Sequence, residues 1–201
     1  QDAAGLKCFR KAALLGDPWG ICNLGWCMEE GIGTEADPRQ AVWLYRQAAE
    51  LGYAPALCHL GVCLETGNGT VAQPEEAVAC YKQAAEENIP RAMQMLASCY
   101  WRGVGVKKDR KKALFWIGLA AFQGDVLSQM ILAGHYEEGR GVKKDPALAF
   151  HWYQQAAKQG DSDGWYYVGQ YLRKGLAGKK DVSAGLEALE KSARMGNEYA
   201  W

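Results

Sequence analysis

A period of 36 residues constrains this 201-residue chain more than any other feature. Segments 17–52, 53–88, 89–124, 125–160 and 161–196 align without insertion or deletion. Residues 1–16 match the second half of a repeat and 197–201 the start of another, so 1–201 reads as a single repeat domain. The fifteenth position of every full repeat is glycine: Gly31, Gly67, Gly103, Gly139 and Gly175. Two residues on stand Gly33, Gly69, Gly105 and Gly141, then Ala177. An acidic column follows, Asp37, Asp109, Asp145 and Asp181, with Gln73 as its exception. The small residues Ala41, Ala77, Ala113, Ala149 and Gly185 lie further along, and the repeats close on Gly52, Asn88, Gly124, Gly160 and Gly196.

These columns predict two helices per repeat. A glycine ending the first helix accepts the left-handed cap, and the second glycine allows a tight turn. Asp37-Pro38 and Asp145-Pro146 read as an N-cap followed by proline in the first turn of the second helix. The closing Gly or Asn caps that helix, and pairs such as Ala48-Ala49 and Ala84-Ala85 let neighbouring helices approach. In repeat four, helix A is predicted over 125–138 and helix B over 146–159; adding or subtracting 36 gives the others. One such hairpin cannot hide both apolar faces, so successive hairpins must stack. The fold class is all-α, with no strand pattern.

Repeat four carries Leu132-Ala133, Tyr136, Gly139, Gly141-Val142, Asp145, Ala149, Trp152-Tyr153, Ala156-Ala157 and Gly160, and repeats one and two keep Leu24-Gly25 and Leu60-Gly61. This pattern resembles the Sel-one-like repeat family, a tetratricopeptide-related class, along the whole chain. The departures are Gln73, Ala177, Gly185 and Ser192. The resemblance implies a right-handed α-solenoid of antiparallel helix pairs with the A helices on the concave side. It also implies a scaffold or adaptor that binds a protein or peptide, and no catalysis by the repeat itself. An inhibitor or immunity-type protein that occludes a toxin or enzyme is the alternative, ahead of a thiol- or metal-dependent regulator or enzyme.

Within helix A, the columns Leu24/Leu60/Leu96/Leu132/Val168 and Met28/Leu64/Tyr100/Tyr136/Leu172 point inward. At 100° per residue, positions three, six, ten and thirteen then face away, with seven and fourteen at the border. A solvated helix carries polar residues there. This chain instead places Trp19, Trp26, Trp101, Met130 and Tyr166 at outward positions, and Met95, Ile131 and Tyr167 at the border. Packing against adjacent A helices accounts for single residues of this set; a mixed apolar groove accounts for all of it. Aromatic and Met side chains suit interface anchors. Glu29, Glu30 and Glu65 early, against Arg91, Arg102, Arg173 and Lys174 late, predict a charge gradient along that groove.

Net charge is zero, which argues against generic nucleic-acid or anionic-membrane binding. Residues 1–100 nevertheless carry 7 Lys and Arg against 12 Asp and Glu, and residues 101–201 carry 16 against 11. Lys107-Lys108, Lys143-Lys144 and Lys179-Lys180 recur in the A–B turns, where a solvated turn is the simpler reading. No apolar run approaches the length of a membrane span.

The seven cysteines are an odd set, and Cys22/Cys27 and Cys58/Cys63 diverge by about 140° on their helices. Cysteine-rich secreted relatives link a residue late in helix B to one early in the next helix A, where this chain has Ala49 with Leu57 and Ala85 with Met93. Packed free thiols in a reducing, cytoplasmic compartment are the expectation, with a periplasmic or secreted setting as the alternative. Cys27, Cys63, Cys99 and His135 share a column, but adjacent repeats hold equivalent helices too far apart for shared ligation. Glu29-Glu30, Glu75-Glu76 and Glu137-Glu138 diverge by about 100° and form no acid–base dyad. No catalytic residue, metal site or cofactor is expected. Because the chain starts within helix B and ends within helix A, a longer array is expected, and oligomeric state stays open.

Overall fold

The computed structural model describes residues 2–200, in two compact units, Gln1–Asp109 and Arg110–Trp201. Unit one holds α1 (Asp2–Leu14), α2 (Pro18–Glu30), α3 (Pro38–Glu50), α4 (Ala54–Thr66), α5 (Pro74–Glu86) and α6 (Pro90–Arg102). Unit two holds α7 (Arg110–Phe122), α8 (Val126–Glu138), α9 (Pro146–Lys158), α10 (Ser162–Lys174) and α11 (Val182–Arg194), then a short 3-10 turn, Glu198–Ala200. The described residues contain helices and no strands, an α-solenoid built from helix pairs. The predicted ranges match to within one residue at each end, because the caps are where the sequence places them.

Those caps explain the uniform helix length of 13 residues. Asp17, Asp37, Asp125, Asp145, Asp161 and Asp181 each accept a backbone N–H from the first turn of the helix they precede. Each such cap is worth about 1 kcal/mol. Gln73 makes no side-chain cap bond. It keeps the geometry because its own N–H donates to the Leu64 carbonyl at 2.7 Å, as Asp37 does to Met28 and Asp145 to Tyr136. At the other end, Gly31, Gly67, Gly103, Gly139 and Gly175 all sit in the left-handed region and donate back to the fourth residue before them.

Packing follows chain order within each unit. Helix α2 packs on α3, α3 on α4, α4 on α5 and α5 on α6; α7 to α11 repeat the scheme. The alanine columns lie fully buried where A and B helices meet, as Ala41, Ala77, Ala149 and Ala156 show. In the last repeat Gly169 continues the small-residue column of Gly25, Gly61, Ala97 and Ala133, Gly185 replaces an alanine, and together they let α10 and α11 approach closely. A Cβ on either would lie within 3 Å of the other's carbonyl oxygen. Ser192, in the alanine column, is buried and donates to the Ser162 carbonyl at 2.7 Å.

The inward columns are only partly as expected. Leu24, Leu60, Leu96, Leu132 and Val168 are all buried, and so are Met28 and Leu64. Tyr100, Tyr136 and Leu172 are half-buried, and the column before them is deeper at Cys27, Cys63, Cys99 and Tyr171, with His135 half-buried. Cys22 and Cys58, at the sixth position assigned to the outer face, are buried as well. That position lies against a neighbouring repeat, which a single-helix projection does not contain.

Candidate functional site

The eight residues predicted to bind fall into two sets, one in each unit. In unit one, α2 presents Trp19 at 50% and Trp26 at 42% exposure, while Met95 and Trp101 on α6 are half-buried. Trp19 rests edge-on against Phe9 of α1, with ring centroids 5.4 Å apart. In unit two, Met130 and Ile131 on α8 and Tyr166 and Tyr167 on α10 are half-buried. Tyr166 meets Tyr167 edge-on at 5.3 Å and lies 6.4 Å from the exposed Tyr199.

Position seven is a seam as well as a surface. Tyr167 lies flat on Tyr153 of the preceding repeat, with centroids 4.3 Å apart, and His59 lies in the same way on Tyr45 at 5.0 Å. Met95 and Ile131 occupy this column too. His59 and Tyr167 therefore each brace the helix B of the preceding repeat. At position ten of the last full repeat, Gln170 Oε1 is buried without a hydrogen bond, the described side-chain polar atom of which this holds.

The expected charge gradient is corrected by the hydrogen bonding of position thirteen. Glu29 accepts from the Tyr45 hydroxyl at 2.7 Å, from Asn68 Nδ2 at 3.1 Å and from the Cys63 thiol at 3.6 Å. Glu65 accepts from Tyr81 at 3.2 Å and Cys99 at 3.9 Å, and pairs with Arg102. Glu137 accepts from Tyr153 at 2.8 Å and Tyr171 at 3.0 Å. Each carboxylate ties its own helix A to the helix B that follows and to the next helix A. Glu29, Glu65 and Arg102 are thus spent on the scaffold, leaving Glu30, Arg91, Arg173 and Lys174 exposed.

A signal for these latches is present in the sequence. Glu29/Tyr45, Glu65/Tyr81 and Glu137/Tyr153 share a spacing of 16, and both members change together in the other two repeats, to Trp101/Ile117 and Arg173/Leu189. Burial, with the adjacent carboxylate, holds the hydroxyls of Tyr45, Tyr81, Tyr153 and Tyr171 above the ordinary phenol range.

Burial likewise pushes the Cys22 and Cys63 thiols up to about 12, and those of Cys58, Cys80 and Cys99 to about 11. The Glu29 carboxylate adds to the shift at Cys63 and Glu65 to that at Cys99. An unfolded thiol titrates near 9.0. A pKa raised on folding means that the neutral thiol stabilises the fold fully below that value and loses its contribution between pH 9 and 12. Urea midpoints should therefore fall steeply from pH 9 upward. At pH 8 a disulfide-exchange reagent should label the exposed Cys8 quickly and the buried thiols only on unfolding. Equal labelling of Cys8→Ser and unsubstituted protein would contradict this.

The Sel1 repeat profile matches residues 2–17, 20–53, 54–89, 90–125, 126–161 and 165–197. Among solved structures, a protective antigen present in uropathogenic Escherichia coli strains, which displays an SLR fold, is 33% identical with a TM-score of 0.83. That match covers 98% of this chain and 42% of the antigen, so the chain spans less than half the antigen's length. A Sel1 repeat protein from Oxalobacter formigenes is 30% identical with a TM-score of 0.83, covering 97% of this chain and 80% of that one. An immunity protein from Pseudomonas aeruginosa, 20% identical with a TM-score of 0.64, covers 94% of this chain and 73% of its own and shares the fold. No curated protein matches the chain.

Proposed function

Because the chain belongs to the Sel1 repeat family, whose solenoids typically act as protein-binding scaffolds, we propose that it is an adaptor holding a partner peptide or helix on its A-helix faces. Trp26 carries the proposal. It stands on the outer face of α2 with two-fifths of its surface in water, where a solvated helix would bear a polar residue. An exposed indole costs a helix nothing in register and gains most by being covered, which is why Trp dominates interface energetics. Trp19 extends the patch on α2, and Met95 and Trp101 add to the A face of unit one. In unit two Met130, Ile131, Tyr166 and Tyr167 supply a second set. Among the described residues no helix is long and apolar enough to cross a membrane. The buried thiols support a reducing, cytoplasmic setting.

The test is affinity capture from native lysate with the unsubstituted chain and with Trp26→Ala, Trp101→Ala and Tyr166→Ala. A partner held by the first should bind the Trp26 variant about 30-fold or more weakly, the effect of losing a hot-spot aromatic. Full affinity in all three variants would sink the proposal. A captured enzyme or toxin whose activity is lost in a tight one-to-one complex would assign the chain to the inhibitor class instead.

A further inference from the structure

The turn that joins α4 to α5 carries the one Asn-Gly pair of the chain, Asn68-Gly69. Asn23, Asn88 and Asn197 are followed instead by Leu24, Ile89 and Glu198. The equivalent turns of the other repeats place Ile32, Val104, Arg140 and Leu176 where Asn68 stands, so the pair is particular to this turn. The side-chain carbonyl carbon of an asparagine is open to attack by the main-chain nitrogen of the next residue, which closes a five-membered ring. A side chain on that next residue obstructs the approach, and glycine has none.

The structure supplies the parts of this chemistry. Asn68 is exposed. The Gly69 N–H, the attacking group, makes no hydrogen bond among the described residues. A bulkier and protecting residue cannot take the place of Gly69, since a Cβ there would lie 2.2 Å from the Pro38 carbonyl oxygen. The amide of Asn68 is itself part of the scaffold. Its Nδ2 donates to Glu29 Oε1 at 3.1 Å, while Glu29 Oε2 accepts from the Tyr45 hydroxyl at 2.7 Å. Asn68 therefore ties the turn after α4 to α2 of the preceding repeat, through the same nitrogen that ring closure expels.

We propose that Asn68 is a site of spontaneous deamidation whose product unfastens the Glu29 latch. Hydroxide takes the proton of the Gly69 N–H, and the nitrogen attacks Asn68 Cγ. The Cγ–Nδ2 bond then breaks, and Nδ2 leaves as ammonia with a proton from water, which regenerates the hydroxide. A second water opens the succinimide at either carbonyl, giving aspartate or isoaspartate at position 68. Only water is consumed and only ammonia is released. The donor that faced Glu29 is replaced by a carboxylate, and two like charges so close repel. Isoaspartate also adds a methylene group to the main chain, in a turn that touches Pro38. Unit one loosens as a result between its first two full repeats, beside α2. The change is independent of any partner and accumulates with the age of the molecule.

The full chain is warmed at pH 7, 8 and 9 and mapped by peptide mass spectrometry, with isoaspartate read by enzymatic methylation. Amide-to-acid conversion at Asn68 should run about tenfold or more faster than at Asn23, Asn88 or Asn197, whose next residues carry side chains, and should quicken with pH. Asn68→Gln keeps an amide donor but closes its ring far more slowly, and should stay unconverted at this position. Asn68→Asp supplies one product directly and should melt below the unsubstituted chain at pH 7. Most of that loss should vanish in the Glu29→Gln background, where no carboxylate faces the new one. Conversion at Asn68 no faster than at the other asparagines overturns the proposal. So does an Asn68→Asp chain that melts unchanged, or one that loses as much with Gln at position 29 as with Glu.

Discussion

Gly69→Ala should destabilise unit one by about 2–5 kcal/mol, whereas Gly67→Ala, two residues away, should cost about 1–2. Both glycines have positive φ, +72° and +77°, so both substitutions incur the penalty of an L residue in the left-handed region. They differ in their surroundings. A Cβ on Gly67 meets its nearest neighbours at 3.4 Å, ordinary contact. On Gly69 it would lie 2.2 Å from the Pro38 carbonyl oxygen and 2.4 Å from that carbonyl carbon. Those atoms belong to the first turn of α3 in the previous repeat, so relief requires separating two repeats. Gly105 stands against Pro74 in the same way, at 2.1 Å. Urea unfolding followed by circular dichroism checks the pair, and equal losses at 67 and 69 would refute the close-approach account. The last repeat shows what the chain does without this glycine. Ala177 occupies the column, Gly178 takes up the turn at φ +150°, and a cavity of about 170 Å³ is left between the turn, Phe150 and Tyr171.

Glu137→Ala should cost unit two about 2–4 kcal/mol. Two buried hydroxyls, Tyr153 and Tyr171, donate to this carboxylate at 2.8 and 3.0 Å. Removing it leaves both without an acceptor, at about 1–3 kcal/mol each when water cannot enter. Glu137→Gln retains a carbonyl acceptor and gives up the charge assistance, so its loss should be less than half as large. In a double-mutant cycle, Tyr153→Phe should cost much less in the Glu137→Ala background than alone, because the shared bond is already gone. Additive losses, or an Ala variant within about 0.5 kcal/mol of the unsubstituted protein, would remove the latch from the account. The consequence reaches function, since Tyr167 stacks on Tyr153 and Tyr166 leans on Tyr167.

How far the chain could be read without coordinates depends on the kind of residue. Asp37 and Asp145 cap their helices as their dipeptides with proline imply, since an N-cap involves only the next turn. Gln73 could not be read in that way, because its turn is closed by a main-chain bond that any residue supplies. Glu29 and Glu65 looked like free charges on an outward face. They are hydrogen-bond acceptors for a tyrosine 16 residues on and a cysteine 34 residues on, contacts that no single-helix projection displays. The exposure of Phe115 and Phe122 is hidden for the converse reason, as the apolar run of α7 reads as core until burial shows which side of it is used.

The unbroken 36-residue period by itself determined the helix pairs, their ends and the class of fold, because caps, glycine turns and small-residue columns act over one turn or one hairpin. Only the tertiary structure decided which large residues stay in water, which carboxylates are spent on tyrosines, and why Gly69 and Gly105 admit no side chain. Those outcomes depend on the distance and rotation between one repeat and the next, which are set by packing and not written in any one repeat.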